Sequence, residues 1–120
     1  MPFDIHFERF PAFARYQVAG PASLDGYTGL IEQAARETLA GGDRQALVDL
    51  RGVAGRLAFS DQFFIGELVV RKLQHLRKLA TVVPEDPATY NSEKVASRHG
   101  FLLRGFLREE DAREWLLGED

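Results

Sequence analysis

The sequence predicts an α/β fold, a mixed and mostly parallel five-stranded sheet with helices packed against it. Three observations carry that expectation. Residues 3–9, FDIHFER, alternate apolar and polar with the period of a half-buried strand. From residue 45 onward, short apolar runs alternate with helical patterns, which calls for parallel strands joined by right-handed crossovers. Glycine and proline fall at the junctions, as in Gly20-Pro21, Gly41-Gly42, Pro84, Gly100 and Gly118. The 120 residues suffice for a single domain, 1–120, with one substantial core.

The elements follow in the order β-β-α-β-α-β-α-β-α. Phe3, Ile5 and Phe7 form the inner face of the first strand, and Phe10-Pro11 interrupts it. Residues 12–18 make a second strand with Ala12, Ala14, Tyr16 and Val18 on one face, so the first two strands form an antiparallel hairpin at the sheet edge. Ser23 caps a helix over 24–39, whose stripe runs through Leu24, Tyr27, Ile31, Ala34 and Ala35. Gly41-Gly42 stops it, because glycine accepts the left-handed cap geometry. Residues 45–50 read as a short buried strand and 51–59 as a loop. Ser60 caps a helix running to about Leu76, with Phe64, Leu68 and Leu76 inward and Phe63, Val70 and Leu73 extending that face. Residues 79–83 are the most apolar strand. Asp86-Pro87 starts a helix to Arg98, residues 101–106 form the last strand, and Glu109-Glu110 open a final helix burying Ala112, Trp115 and Leu116.

Composition narrows the function. A formal net charge of −3 argues against nucleic-acid binding, which draws on basic charge. The absence of cysteine removes disulfides, thiolate metal sites and cysteine nucleophiles, and fits a cytoplasmic location. Met1-Pro2-Phe3-Asp4 does not read as a signal peptide, and no run of eighteen apolar residues offers an integral membrane segment. His6, His75 and His99 lie in three separate elements without ligand spacing, so no metal is expected. No cofactor is expected either. The loop Arg51-Gly52-Val53-Ala54-Gly55-Arg56 lacks the GKS or GKT ending of a nucleotide P-loop and the third glycine of a dinucleotide fingerprint.

Four groups of residues remain as candidates. Ser60 and Asp61 follow the third strand at a helix N-terminus, where ligands of open α/β sheets collect and where amides hold anions. Phe59, Phe63 and Phe64 put three phenylalanines within six residues, more than one inner helical face needs, which leaves at least one for a dimer or an apolar ligand pocket. Arg51 and Arg56 suit an anionic ligand or partner. Tyr90, Asn91 and Lys94 follow the most buried strand and suit a small groove. No nucleophile elbow is present; Ser60, a histidine and Asp49 could be assembled into a triad, but nothing local requires it.

Four segments resemble the SpoIIAA-like branch of the STAS/SEC14-type small domains: LVDLRGVAGRLAFSD (47–61), GELVVRKLQHLRKLATVVPED (66–86), TYNSEKVASRHG (89–100) and DAREWLLG (111–118). The resemblance implies a mixed sheet with helices packed against it and a non-enzymatic role. Classical anti-sigma-factor antagonists of the wider STAS group bind a partner protein and are switched by phosphorylation of a serine at a helix start. Ser60 is the corresponding residue; Phe59 stands where those proteins carry aspartate. Three functions follow in order of expectation. The first is a regulatory domain that binds a protein partner, with a homodimer as one form. The second is a binding domain for a small anionic or lipid-like ligand, which needs a closed cavity with Arg51 or Arg56 at its mouth. The third is a serine-dependent hydrolase or transferase, which needs a base beside Ser60.

Overall fold

The computed structural model describes residues 3–85 and 91–118, with the side chains of residues 91 and 92 left aside. Its elements are β1 (Asp4–Arg9), β2 (Ala14–Pro21), α1 (Leu24–Gly41), β3 (Gln45–Ala54), α2 (Phe59–Lys72), β4 (Lys78–Val82), α3 (Asn91–Arg98), β5 (Leu103–Phe106) and α4 (Glu109–Leu117). The five strands lie in the order β1-β2-β3-β4-β5. β1 pairs antiparallel with β2, and every later pair is parallel. This is the predicted α/β architecture in the predicted element order.

The strand order fixes where the helices go. Each parallel crossover steps one strand in the same direction, so right-handed connections place α1, α2 and α3 on one face. Only α4, which follows the last strand, packs against β3, β4 and β5 from the other side. Strand alternation divides the core accordingly. Ala14, Tyr16, Val18, Ala46, Val48 and Leu79 join the cluster under α1 and α2. Phe13, Leu47, Ala80 and Val82 join Ala112 and Leu116 of α4.

Several local expectations hold. Ser23 caps α1, its Oγ accepting from the Gly26 amide at 2.9 Å. Gly42 ends α1 at φ 70°, the left-handed geometry that favours glycine. Others are corrected. β3 does not stop at Leu50 but continues through Ala54, because a bulge absorbs the glycine. Between Gln17↔Asp49 and Ala19↔Gly52 the register gains one residue on β3. A Cβ at Gly52 would lie 2.9 Å from the Val18 carbonyl oxygen, so the bulge requires glycine there. The extra residue re-aims the strand, turning Val53 into the helical layer. α2 ends at Lys72, and Leu73 and Leu76 are buried in the turn that follows. Its inner stripe is Gln62, Ile65, Gly66, Leu68 and Val69 rather than Phe64. The expected helix start at Asp86-Pro87 lies outside the described residues.

Candidate functional site

The β3–α2 junction is built from the bulge outward. β3 delivers the chain to Gly55, whose φ of 81° turns it away from the sheet. The loop through Arg56 and Leu57 then folds back on the helix: the Gln62 side-chain amide donates to the Leu57 carbonyl at 2.9 Å. Ala58 occupies the N-cap position, with extended ψ and no side-chain hydrogen bond to the first turn. Ser60 is therefore the second helical residue and not the cap. It is exposed, and with helical φ/ψ it does not take the extended geometry from which a cap accepts the following amides. Asp61 sits in the same first turn, where the helix dipole favours its charge.

The aromatic residues around Ser60 are turned outward. Phe59 is 63% exposed and Phe64 46% exposed. Phe63 is half-buried and meets Phe59 edge-on at 4.9 Å between ring centroids, one helical turn apart. The surplus of phenylalanine seen in the sequence is thus an apolar surface flanking Ser60.

The two candidate arginines are separated by the sheet. Arg56 lines an apolar cavity on the α2 side and pairs with Glu85 at 3.3 Å. Arg51 belongs to β3 and points to the α4 side, where it donates to Asp49 at 2.8 and 2.9 Å and meets Glu109 at 3.3 Å. Arg51 is thus a strand residue held in an ion network, because the bulge keeps it in the sheet and not in a loop beside Arg56. Lys94 is exposed on α3. Asn91 begins α3, and its side chain, like all of Tyr90, lies outside the described residues.

That network escaped the sequence reading. Arg15 of β2 donates to Glu109 through Nε and Nη2 at 2.9 and 2.8 Å, and Arg113 donates to the same carboxylate at 2.9 Å. These guanidinium groups, Arg15 first, pull the Glu109 pKa down to about 2 against the opposing effect of burial. Burial raises Asp49, but the bonds from Arg51 and the charge of Arg15 outweigh it, so its net shift is downward. Lys78 of β4 is buried and donates to the carbonyls of Trp115 and Gly118, closing the C-terminus of α4. The signal was available: an aspartate inside the apolar run QALVDL needs a cationic partner when buried.

The geometry offers no triad among the described residues. Asp49 is held by arginines on the α4 side, whereas Ser60 lies on the α2 side. His75 bonds Thr38 at 2.7 Å, His99 lies 3.8 Å from Glu67 of α2, and His6 is on edge strand β1. No group of three His, Asp or Glu among the described residues is arranged to hold a metal ion. No helix among them is long and apolar enough to cross a membrane.

No protein-family model and no curated protein matches the sequence. Solved structures do. An uncharacterized protein with a SpoIIAA-like fold from Shewanella loihica aligns over 96% of this chain and 93% of its own, at 18% identity and a TM-score of 0.61. An anti-sigma factor antagonist from Mycobacterium paratuberculosis aligns over 97% and 95%, at 17% identity and a TM-score of 0.64. The anti-sigma factor antagonist SpoIIAA in its unphosphorylated form aligns over 97% and 100%, at 11% identity and a TM-score of 0.59. Together with the antiparallel β1–β2 pair, the parallel strands β2 to β5 and the three-plus-one distribution of helices, this likeness establishes that the chain adopts the SpoIIAA-like fold.

Proposed function

We propose that this chain is a non-enzymatic regulatory domain, acting through a protein partner that docks on the start of α2. One observation carries the reading: two phenylalanines stand exposed on either side of an exposed serine at the second position of that helix. Apolar side chains concentrated at one place on a surface mark interaction sites. Aromatic anchors dominate the energetics of such interfaces. The names of two similar structures, both anti-sigma factor antagonists, support the same class of role. The docking surface comprises Phe59, Ser60, Asp61, Phe63 and Phe64. A phosphate on Ser60 would enter this surface among the open amides of the first turn, with Asp61 opposing it by like charge.

The test is native mass spectrometry of the chain isolated gently from its own cells, in wild-type form and as Phe59→Ser and Phe64→Ser. The expected result is a stoichiometric protein partner, or a second copy of the chain, present with the wild type and lost with both variants. Phe59→Ser gives up the edge-on contact with Phe63, worth about 0.5–1.5 kcal/mol, and Phe64→Ser removes a ring that is 46% exposed, so both variants should remain folded. Retention of the partner by both variants would overturn the docking surface. Mapping of the same samples for phosphate on Ser60 decides whether the surface is switched there.

A further inference from the structure

The two edges of the sheet are finished differently. β5, at one edge, has four residues, and its outward amides are occupied. Leu79 and Val83 donate to the carbonyls of Leu102 and Phe106, so the even-numbered residues face β4 while Leu103 and Gly105 face out. The Leu103 amide donates to the Phe101 carbonyl at 3.1 Å, and the Gly105 amide to Glu93 Oε1 at 2.6 Å. β1, at the other edge, has six residues and no proline, lysine or bulge, the features that usually blunt an edge. The Phe10 amide donates to the Phe13 carbonyl in register with the Arg9↔Ala14 pair, so the even-numbered residues of β1 face β2. The amides and carbonyls of Ile5, Phe7 and Arg9 therefore point away from the sheet. Among the described residues nothing bonds to them.

We propose that the open edge of β1 pairs antiparallel with the same edge of a second copy, joining two sheets about a two-fold axis. Backbone geometry and charge together fix the register. Outward groups must meet outward groups, so odd-numbered residues pair with odd-numbered ones. With Phe7 opposite Phe7, Ile5 lies opposite Arg9 and His6 opposite Glu8, each twice by symmetry. The odd-numbered pairs exchange backbone hydrogen bonds. His6 and Glu8 fall at the non-hydrogen-bonded positions, where side chains approach closest. Both are exposed, and an imidazole donates to a carboxylate in either protonation state. Phe7 adds an aromatic cross-strand pair. Sliding one strand by two residues loses the match: one direction sets Glu8 against Glu8, the other Asp4 against Glu8 and His6 against His6. On the opposite face, half-buried Ile5 and Phe7 carry the apolar layer across the junction. The contact is one strand wide, so the association is weak and needs about 100 µM or more. β3, the strand that leads into α2, lies two strands away from β1, so this pairing does not rest on a partner docked at α2.

The experiment is sedimentation velocity of the full chain from about 10 µM to about 1 mM, with amide NMR at both ends of that range. The wild type passes from monomer to dimer, and the amide signals of Ile5, Phe7 and Arg9 move more with concentration than those of His6 and Glu8. His6→Glu sets carboxylates opposite each other and weakens the dimer about tenfold or more. Adding Glu8→Lys to that variant returns opposite charges to the pair and restores the dimer. Ile5→Pro removes one outward amide, leaves the β1–β2 ladder intact and abolishes the dimer. Should that variant not fold, the His6 and Glu8 variants decide alone. Phe59→Ser and Phe64→Ser leave the dimer unchanged. At the low micromolar concentrations of native mass spectrometry it dissociates, which tells it apart from a copy held on α2. A chain that stays monomeric at about 1 mM would overturn the pairing. So would a dimer that His6→Glu leaves intact, or a loss that the added Glu8→Lys does not rescue.

Discussion

Where α1, α2 and α3 cover the sheet, the described contacts are almost wholly hydrocarbon, with twenty buried residues in one cluster. Where α4 covers it, six buried apolar residues share the interface with Arg15, Asp49, Glu109 and Lys78. The difference follows from size. α4 has nine residues and buries Ala112 and Leu116, too little area to hold a helix by burial alone. Its position is specified by a carboxylate gripped between two arginines at its start and by a lysine at its end. One face therefore depends on area, which is indifferent to proton concentration. The other depends on charge state and geometry.

The largest effect expected from this contrast is on the apolar face. Leu68→Ala should cost about 2–5 kcal/mol, the range for emptying a buried leucine site. Urea unfolding measures it, and the deficit relative to wild type should be the same at neutral and acid pH. Glu109→Gln should cost less, about 1–3 kcal/mol, through loss of charge-assisted bonds to Arg15 and Arg113. Its signature is the pH dependence. The Glu109 pKa falls from 4.5 to about 2 on folding, so the folded state binds the proton less readily than the unfolded one. Its contribution is fully present above 4.5 and is lost as pH falls through about 2. The gap between wild type and Glu109→Gln should narrow through that window. A gap that stays constant down to the lowest pH at which the chain folds would place the docking of α4 in packing instead.

Much of this contrast could be read from the sequence, and its limits have physical reasons. Alternation in FDIHFER, the Ser23 cap and the Gly42 stop were legible because each depends on residues close in the chain. The end of β3 was not, because Gly52 looks like a breaker until the Val18 carbonyl is beside it. The inner face of α2 was misread because phenylalanine bulk was taken as the sign of burial, whereas Ile65 and Val69 form the stripe that meets the sheet. Phe59 and Ser60 were expected as partner contacts and Arg56, together with Arg51, as an anion contact; the sequence could not show that the bulge keeps Arg51 in β3, across the sheet from Arg56. The Arg15–Glu109 pair joins residues ninety-four apart in the chain, and no local pattern announces it.

The smallest effect concerns a titratable group set into the apolar face. Thr38 is fully buried in α1, and its hydroxyl donates to the Ala34 carbonyl at 2.6 Å. That bond uses the only hydroxyl proton, so the 2.7 Å contact with His75 requires the ring to donate from Nε2. Protonation then adds a proton at Nδ1 and leaves the bond to Thr38 intact. What it costs is the burial of a cation, which lowers the His75 pKa below 6.5; Asp43 acts weakly the other way. The folded state thus takes up this proton less readily than the unfolded one. Its stabilising effect is complete above 6.5 and declines as pH falls below that value. An NMR titration of His75 should give a midpoint under 6.5 with the Nε2–H tautomer dominant at neutral pH. A midpoint at or above 6.5 would mean that the ring is wetter, or Asp43 nearer in effect, than the packing of α1 against the turn after α2 implies. In that case the apolar face would owe part of its stability to charge, and the contrast with the α4 face would be one of degree.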